Sequence, residues 1–219
     1  RVQPLEHLEN HLKYLKENHD VGFIQIADEN FGSNKKQAYQ VADILHKNGL
    51  IWFACGVRCT STTREDIQYY KERGCSALQY GVESGSQTIL DLMEKVFTVD
   101  DIYSALTACI ENGIYSPLAI MLGMPGETEE TAKETGKFIG NITSKMGVHP
   151  TNIQMDIFYA IPLPGTPLWE YGEQLGVIGK KDTDVIDYLT AVSNAGTFKR
   201  YYINLNGAPI SEVLFWEYL

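Results

Sequence analysis

Five short β-rich runs, each ending in an abrupt polar or glycine turn and each followed by a helical pattern, fill most of this 219-residue chain. The runs are VGFIQIA (21–27), LIWFA (50–54), ALQYG (77–81), YSPLAIMLG (115–123) and NIQMDIFYA (152–160). Between them, KKQAYQVADILHKNG (35–49), TREDIQYYKERG (63–74), QTILDLMEK (87–95), DDIYSALTACIENG (100–113) and residues 129–145 carry helical periodicity. Thr62 to Glu65 and Thr98 to Asp101 read as capping boxes. A leading helix, PLEHLENHLKYLKEN (4–18), sets Leu5, Leu8, Leu12 and Leu15 on one stripe. Strands that alternate with helical crossovers must run parallel, which leaves two architectures, a (β/α) barrel or a doubly wound sheet. After Gly179 the alternation weakens, and DTDVIDYLTAVSNAG (182–196) and SEVLFWEYL (211–219) read as two helices packed outside the sheet.

In either architecture the carboxyl ends of the strands share one face, and sites are built there. The chemically unusual residues fall at those ends: Asp28, Glu29 and Asn30, then Arg58, then Glu83 and Ser84, then the MPGET turn (124–128) and PLPGTP (162–167). Gly81 and Gly85 flank Glu83 and Ser84, permitting a tight turn or close approach to a ligand; a plain strand-to-helix turn with Ser86 capping the next helix explains them equally well. Asp28 and Glu29 are adjacent, so on a strand their side chains diverge, which argues against a general acid–base pair. The GMPGET turn lacks the Gly-Lys-Ser/Thr ending of a nucleotide-phosphate loop.

The net charge of −10 argues against a broad nucleic-acid surface. No apolar run approaches the roughly 20 residues of a membrane span, and a soluble, cytoplasmic protein is expected. Four cysteines, Cys55, Cys59, Cys75 and Cys109, make no disulfide framework. CGVRCTST (55–62) imitates a C-x3-C-x2-C cluster loop but has Thr62 at the third place. His7 and His11 lie one helical turn apart, but a zinc-protease motif needs Glu where Leu8 stands. No metal ligand is assigned within the chain.

Taken in order, IADENFGSN, WFACGVR, LQYGVESGSQTILDLMEK, IMLGMPGETEET and FYAIPLPGTPLWEY resemble the core of the radical S-adenosylmethionine (SAM) enzymes, from about residue 21 to 178. The wording is most similar to the group that carries a cobalamin-binding domain; methylthiotransferases are the next nearest, but their RNA substrate suits an acidic chain poorly. The resemblance implies an α/β partial (β/α)6 barrel of the triosephosphate-isomerase type. Residues 1–179 would form the core with family strands two to six, and residues 180–219 a C-terminal helical extension packed on it. The first family strand and its three-cysteine loop would precede Arg1, which makes the spacing of CGVRCTST accidental. The resemblance further implies SAM and a 4Fe–4S cluster, with cobalamin as a candidate third cofactor. An external electron donor and a small-molecule substrate complete the expected partners, and a 5′-deoxyadenosyl radical or a transferred methyl group is the expected product of SAM.

Matched residue by residue, Glu83 and Ser84 resemble the pair that contacts the methionyl or ribose part of SAM. Gly123, Met124, Pro125 and Gly126 resemble the turn whose backbone lies against adenine, and Arg58 is a candidate carboxylate contact. Asp28, Asn30, Phe31 and Tyr159 are expected to line the same cavity, toward substrate or SAM. No catalytic acid or base is assigned. Two other readings remain at this point: a divalent-metal barrel enzyme using Asp28, Glu29 and Glu83, and a binding domain that kept the fold without the cluster.

Overall fold

The computed structural model describes residues 3–146, 155–178, 182–192 and 202–219. Helix α1 (Leu5–His19) leads into β1 (Phe23–Phe31), α2 (Lys35–Lys47), β2 (Ile51–Val57), α3 (Arg64–Glu72) and β3 (Cys75–Glu83). There follow α4 (Gln87–Leu92), α5 (Val99–Glu111), β4 (Leu118–Leu122), α6 (Glu129–Met146), β5 (Met155–Tyr159), α7 (Pro167–Gln174), α8 (Asp182–Val192) and α9 (Ile210–Phe215). The expected start of β5 at 152–154 and the end of the expected helix at 193–196 lie outside the described residues.

The five parallel strands form one sheet in the order β1-β2-β3-β4-β5. A doubly wound sheet reverses strand order at a switch point, whereas a barrel adds each strand beside the last. The sequential order therefore selects the barrel-type arrangement. Local chemistry sets the crossovers. Thr98 caps α5 with Asp101 reciprocating, as expected. The box on α3 is Thr63 with Asp66, one residue later than expected, because the Thr62 hydroxyl is engaged with the Tyr80 hydroxyl at 2.9 Å.

By internal contacts the chain divides into two compact units. One comprises Arg1–Val82, Val96–Ala119 and Phe138–Asp156; the other comprises Glu83–Lys95, Ile120–Lys137 and Ile157–Leu219. The division does not fall at residue 179: the C-terminal residues group with the ends of β3 and β4. In the first unit Phe31, Trp52 and Tyr70 pack as an aromatic triple, each pair of ring centroids 5.6 Å apart. Buried Cys75 and Cys109 behave there as small apolar side chains. In the second unit Leu122, Ala132, Tyr159, Tyr202, Val213 and Trp216 form one core cluster, and Trp169, Ile178 and Leu205 another. Among the described residues no helix is long and apolar enough to cross a membrane.

Candidate cofactor site

Glu83, the last residue of β3, has φ +63°, a left-handed conformation that a non-glycine residue adopts only when its surroundings enforce it. The enforcement comes from the turn that follows. The Ser84 hydroxyl is 3.0 Å from that of Thr135 on α6, which also accepts the Gly85 N–H at 3.1 Å, while the Ser86 N–H donates to Ser84 Oγ at 3.1 Å. Ser86 does not cap α4; its hydroxyl donates to Glu134. Ser84 is 1% exposed and turned into the protein, so its hydroxyl shapes the turn, unlike the ligand contact expected of it. What the turn leaves accessible is the Glu83 carboxylate.

Its partner was hidden in the sequence. The periodicity of QTILDLMEK suggests a helix running to Lys95, but α4 stops at Leu92. Glu94 takes φ +53°, its N–H donates to the Asp91 carbonyl, and the Lys95 N–H donates to the Leu90 carbonyl, both at 3.0 Å. That is a Schellman stop with glutamate in the place glycine usually fills. The turn brings Lys95 Nζ 2.8 Å from Glu83 Oε1, with side chains 30% and 18% exposed. A half-buried pair of opposite charges thus sits where two non-glycine left-handed residues have been enforced.

The second element is the turn after β4. Met124 to Glu127 close through the Glu127 N–H to the Met124 carbonyl at 3.1 Å, with Pro125 second and Gly126 third at φ +82°, the pattern of a type II turn. The resemblance implies that the backbone of this turn lies against adenine. Within the protein this turn is met by a carboxyl of the same chain: the Gly123 N–H donates to Glu127 Oε2 at 2.6 Å. Burial at 3% exposure pushes the Glu127 carboxyl from its ordinary 4.5 up to about 7, against the opposing pull of the Gly123 and Met124 amides. Its Oε1 is buried without a hydrogen-bond partner. The Gly123 carbonyl accepts from Tyr202 Oη at 3.0 Å, and the Met124 carbonyl from Asn206 Nδ2 at 2.6 Å. The N–H and carbonyl of Gly123 are therefore engaged within the chain; half-buried Met124 and Pro125 and exposed Gly126 form the turn's open surface.

In the first unit, β1 pairs regularly with β2 to Ala27, then resumes at Phe31 opposite Val57, so Asp28–Asn30 bulge against Gly56 alone. A Cβ on Gly56, at φ +67°, would lie 2.1 Å from the Asp28 carbonyl oxygen; only glycine fits. Asp28 is exposed and accepts the Glu29 N–H at 2.9 Å; Asn30 Oδ1 accepts from the Ser61 hydroxyl at 3.2 Å; Arg58 is exposed. Two expected lining residues are core residues instead. Phe31, 4% exposed, belongs to the aromatic triple, and Tyr159, 2% exposed, packs on Tyr202 with ring centroids 5.0 Å apart. Cys59 is buried, which pushes its thiol up to about 11, and Cys55 accepts from Gln25 Nε2 at 3.1 Å. Among the described residues no three His, Cys, Asp or Glu side chains come together as a metal-holding group.

A sequence profile of the Radical SAM superfamily matches residues 1–139. Among curated proteins the chain is similar to an uncharacterized methyltransferase of Pyrococcus horikoshii, 27% identical over 172 residues, covering 78% of this chain and 36% of that protein. It is also similar to the anaerobic magnesium-protoporphyrin IX monomethyl ester cyclase of Rubrivivax gelatinosus, 27% identical over 141 residues, covering 63% of this chain and 25% of that one. The chain thus spans about a third or less of these relatives' lengths. Among solved structures, the radical SAM methyltransferase TsrM of Kitasatospora setae, with cobalamin and a 4Fe–4S cluster bound, shares the fold at a TM-score of 0.67 and 18% identity, covering 82% of this chain and 36% of that one. With more than half its length matched by the family profile, the chain belongs to the radical SAM superfamily.

Proposed function

We propose that this chain holds the SAM of a radical SAM enzyme acting on a small molecule, with cobalamin-assisted methyl transfer as its chemistry. The observation that carries the reading is the Glu83–Lys95 pair, 2.8 Å apart on an enforced turn. The methionyl end of SAM is itself a pair of opposite charges. The Glu83 carboxylate accepts from its ammonium and Lys95 donates to its carboxylate, so one internal ion pair is exchanged for two with the ligand. Met124 and Pro125 offer an apolar surface to adenine. Exposed Asp28 and Arg58, with half-buried Asn30, are assigned to substrate. Bound beside a 4Fe–4S cluster, SAM would supply a carbon-centred radical or, with cobalamin, a methyl group. Methyl transfer is favoured because the Pyrococcus relative and TsrM are both named methyltransferases, and TsrM binds cobalamin and a cluster.

The cysteines of this chain do not fit a cluster. Cys59 is buried with a thiol held protonated, Thr62 in the third place is bonded to Tyr80, and cluster ligation needs thiolates on an accessible loop. We assign the cluster ligands to sequence outside residues 1–219. The test compares the intact protein with this chain, each reconstituted anaerobically with iron and sulfide and given SAM and an external one-electron donor. Formation of 5′-deoxyadenosine or S-adenosylhomocysteine by the intact protein alone is expected. SAM cleavage by residues 1–219 alone would overturn the assignment of the ligands, and none by the intact protein would overturn the function.

A further inference from the structure

We infer that the cofactor site is completed by a segment beyond the matched family region: Tyr202 and Asn206 are positioning residues that hold the turn at Gly123–Glu127 in shape for the cofactor. The inference rests on the proposed SAM site. The family match ends at residue 139, yet the partners of the turn lie 79 and 82 residues downstream. The turn contains Gly123 at φ +80° and Gly126 at φ +82°, the residues with most freedom to lose. Left alone it would sample many shapes.

Asn206 Nδ2 bridges the two ends of the turn, donating to the Met124 carbonyl at 2.6 Å and the Glu127 carbonyl at 2.8 Å. Tyr202 Oη donates to the Gly123 carbonyl, and the ring packs so closely that a Cβ on Gly123 would lie 2.4 Å from Oη. The clasp is itself preset. Asn204 Oδ1 accepts from Tyr202 Oη at 3.2 Å and from the Asn206 N–H at 3.1 Å, and Asn206 Oδ1 accepts the Ala208 N–H at 3.2 Å. The sequence YINLN alternates with period two: Tyr202, Asn204 and Asn206 serve the turn, while Leu205 and Ile203 pack with Trp169 and Ile178. Both sets of side chains anchor the segment, and the polar one grips the backbone that the cofactor reading places beside adenine.

The test uses the intact protein with Asn206→Asp, which keeps the acceptor and removes both donated bonds, and Tyr202→Phe, which keeps the ring. Two quantities are read at a temperature where all forms are folded: amide hydrogen exchange over residues 123–127, and the Kd for S-adenosylhomocysteine. Each variant is expected to exchange about tenfold faster in the turn and to bind about tenfold more weakly, the scale of one or two hydrogen bonds. Faster exchange with unchanged Kd would reduce the clasp to a structural role and overturn the inference. Unchanged exchange would overturn it whatever the cofactor. If exchange responds but the unaltered protein does not bind S-adenosylhomocysteine, the SAM reading fails, the positioning role fails with it, and the clasp survives only as a feature of the fold.

Discussion

The mouths of β1 and β3 are built in opposite ways. Near the end of β1, the residues Asp28–Asn30 swing out of the ladder on a glycine-dependent bulge, Asp28 and Glu29 exposed and Asn30 half-buried, where Asp28 accepts the Glu29 N–H and Asn30 accepts from the Ser61 hydroxyl. After β3, Glu83 is forced into a left-handed conformation by a turn whose hydroxyls and amides are bonded to α6, and its carboxylate meets a lysine placed by a second enforced turn. Strain that is over-determined by its surroundings marks a group whose position matters, whereas a loosely held polar bulge suits a group that must adapt. The contrast is the one the proposed division of roles requires, with the cofactor at Glu83 and the substrate at Asp28 and Asn30.

A large effect is expected from tightening the turn after β4. Gly123→Ala forces a Cβ against Tyr202 and a left-handed φ on alanine, and is expected to cost about 3 kcal/mol or more in denaturant unfolding. Tyr202→Ala made with it is expected to return part of that loss. A cost under about 1 kcal/mol would mean the tyrosine does not press on the turn.

Glu127→Gln comes next, and its sign depends on pH. Because burial raises the folded carboxyl from 4.5 to about 7, the folded protein binds the proton more tightly than the unfolded chain. The stability this confers is complete below 4.5 and is lost as pH rises through 7, a change on the order of 3 kcal/mol. Glutamine keeps an acceptor for the Gly123 N–H but cannot ionise. Relative to the unaltered protein, the variant is expected to gain stability from pH 4 to pH 8; parallel pH profiles would show that Glu127 does not titrate in this window.

The bulge is tested by Gly56→Ala, where the close Asp28 carbonyl should shift the strand and lower turnover with substrate while leaving S-adenosylhomocysteine binding within about twofold, since the bulge and the Glu83–Lys95 pair belong to different compact units. Loss of cofactor binding would erase the proposed division of labour. The smallest effect is expected from Thr63→Ala, which removes the reciprocal cap of α3 and costs about 1 kcal/mol without changing affinity at either mouth.

The same contrast explains what could be read from the sequence. Alternating runs reported the parallel sheet, Pro125–Gly126 reported a turn, and Thr98 reported a cap, because each signal is local. Lys95 was missed because Glu94 fills the stop position where glycine would have announced the helix end. Ser84, Phe31 and Tyr159 are buried, and position at a strand end does not say whether a side chain faces out or into the core. The clasp was invisible because its two halves are about 80 residues apart, although the period-two pattern of YINLN was open to reading as an extended segment with two different faces. Local rules find elements; the filling of one element's polar groups by another needs the fold.

The most direct measurement is the Kd for S-adenosylhomocysteine of the intact protein, compared with a Glu83→Gln, Lys95→Ala double variant and an Asp28→Asn, Asn30→Ala double variant. Removing the charged pair is expected to weaken binding by about tenfold or more, the scale of losing charge-assisted bonds, while altering the bulge leaves it unchanged. Equal affinity with and without the Glu83–Lys95 pair, or a loss caused by the bulge variant instead, would contradict the placement of SAM.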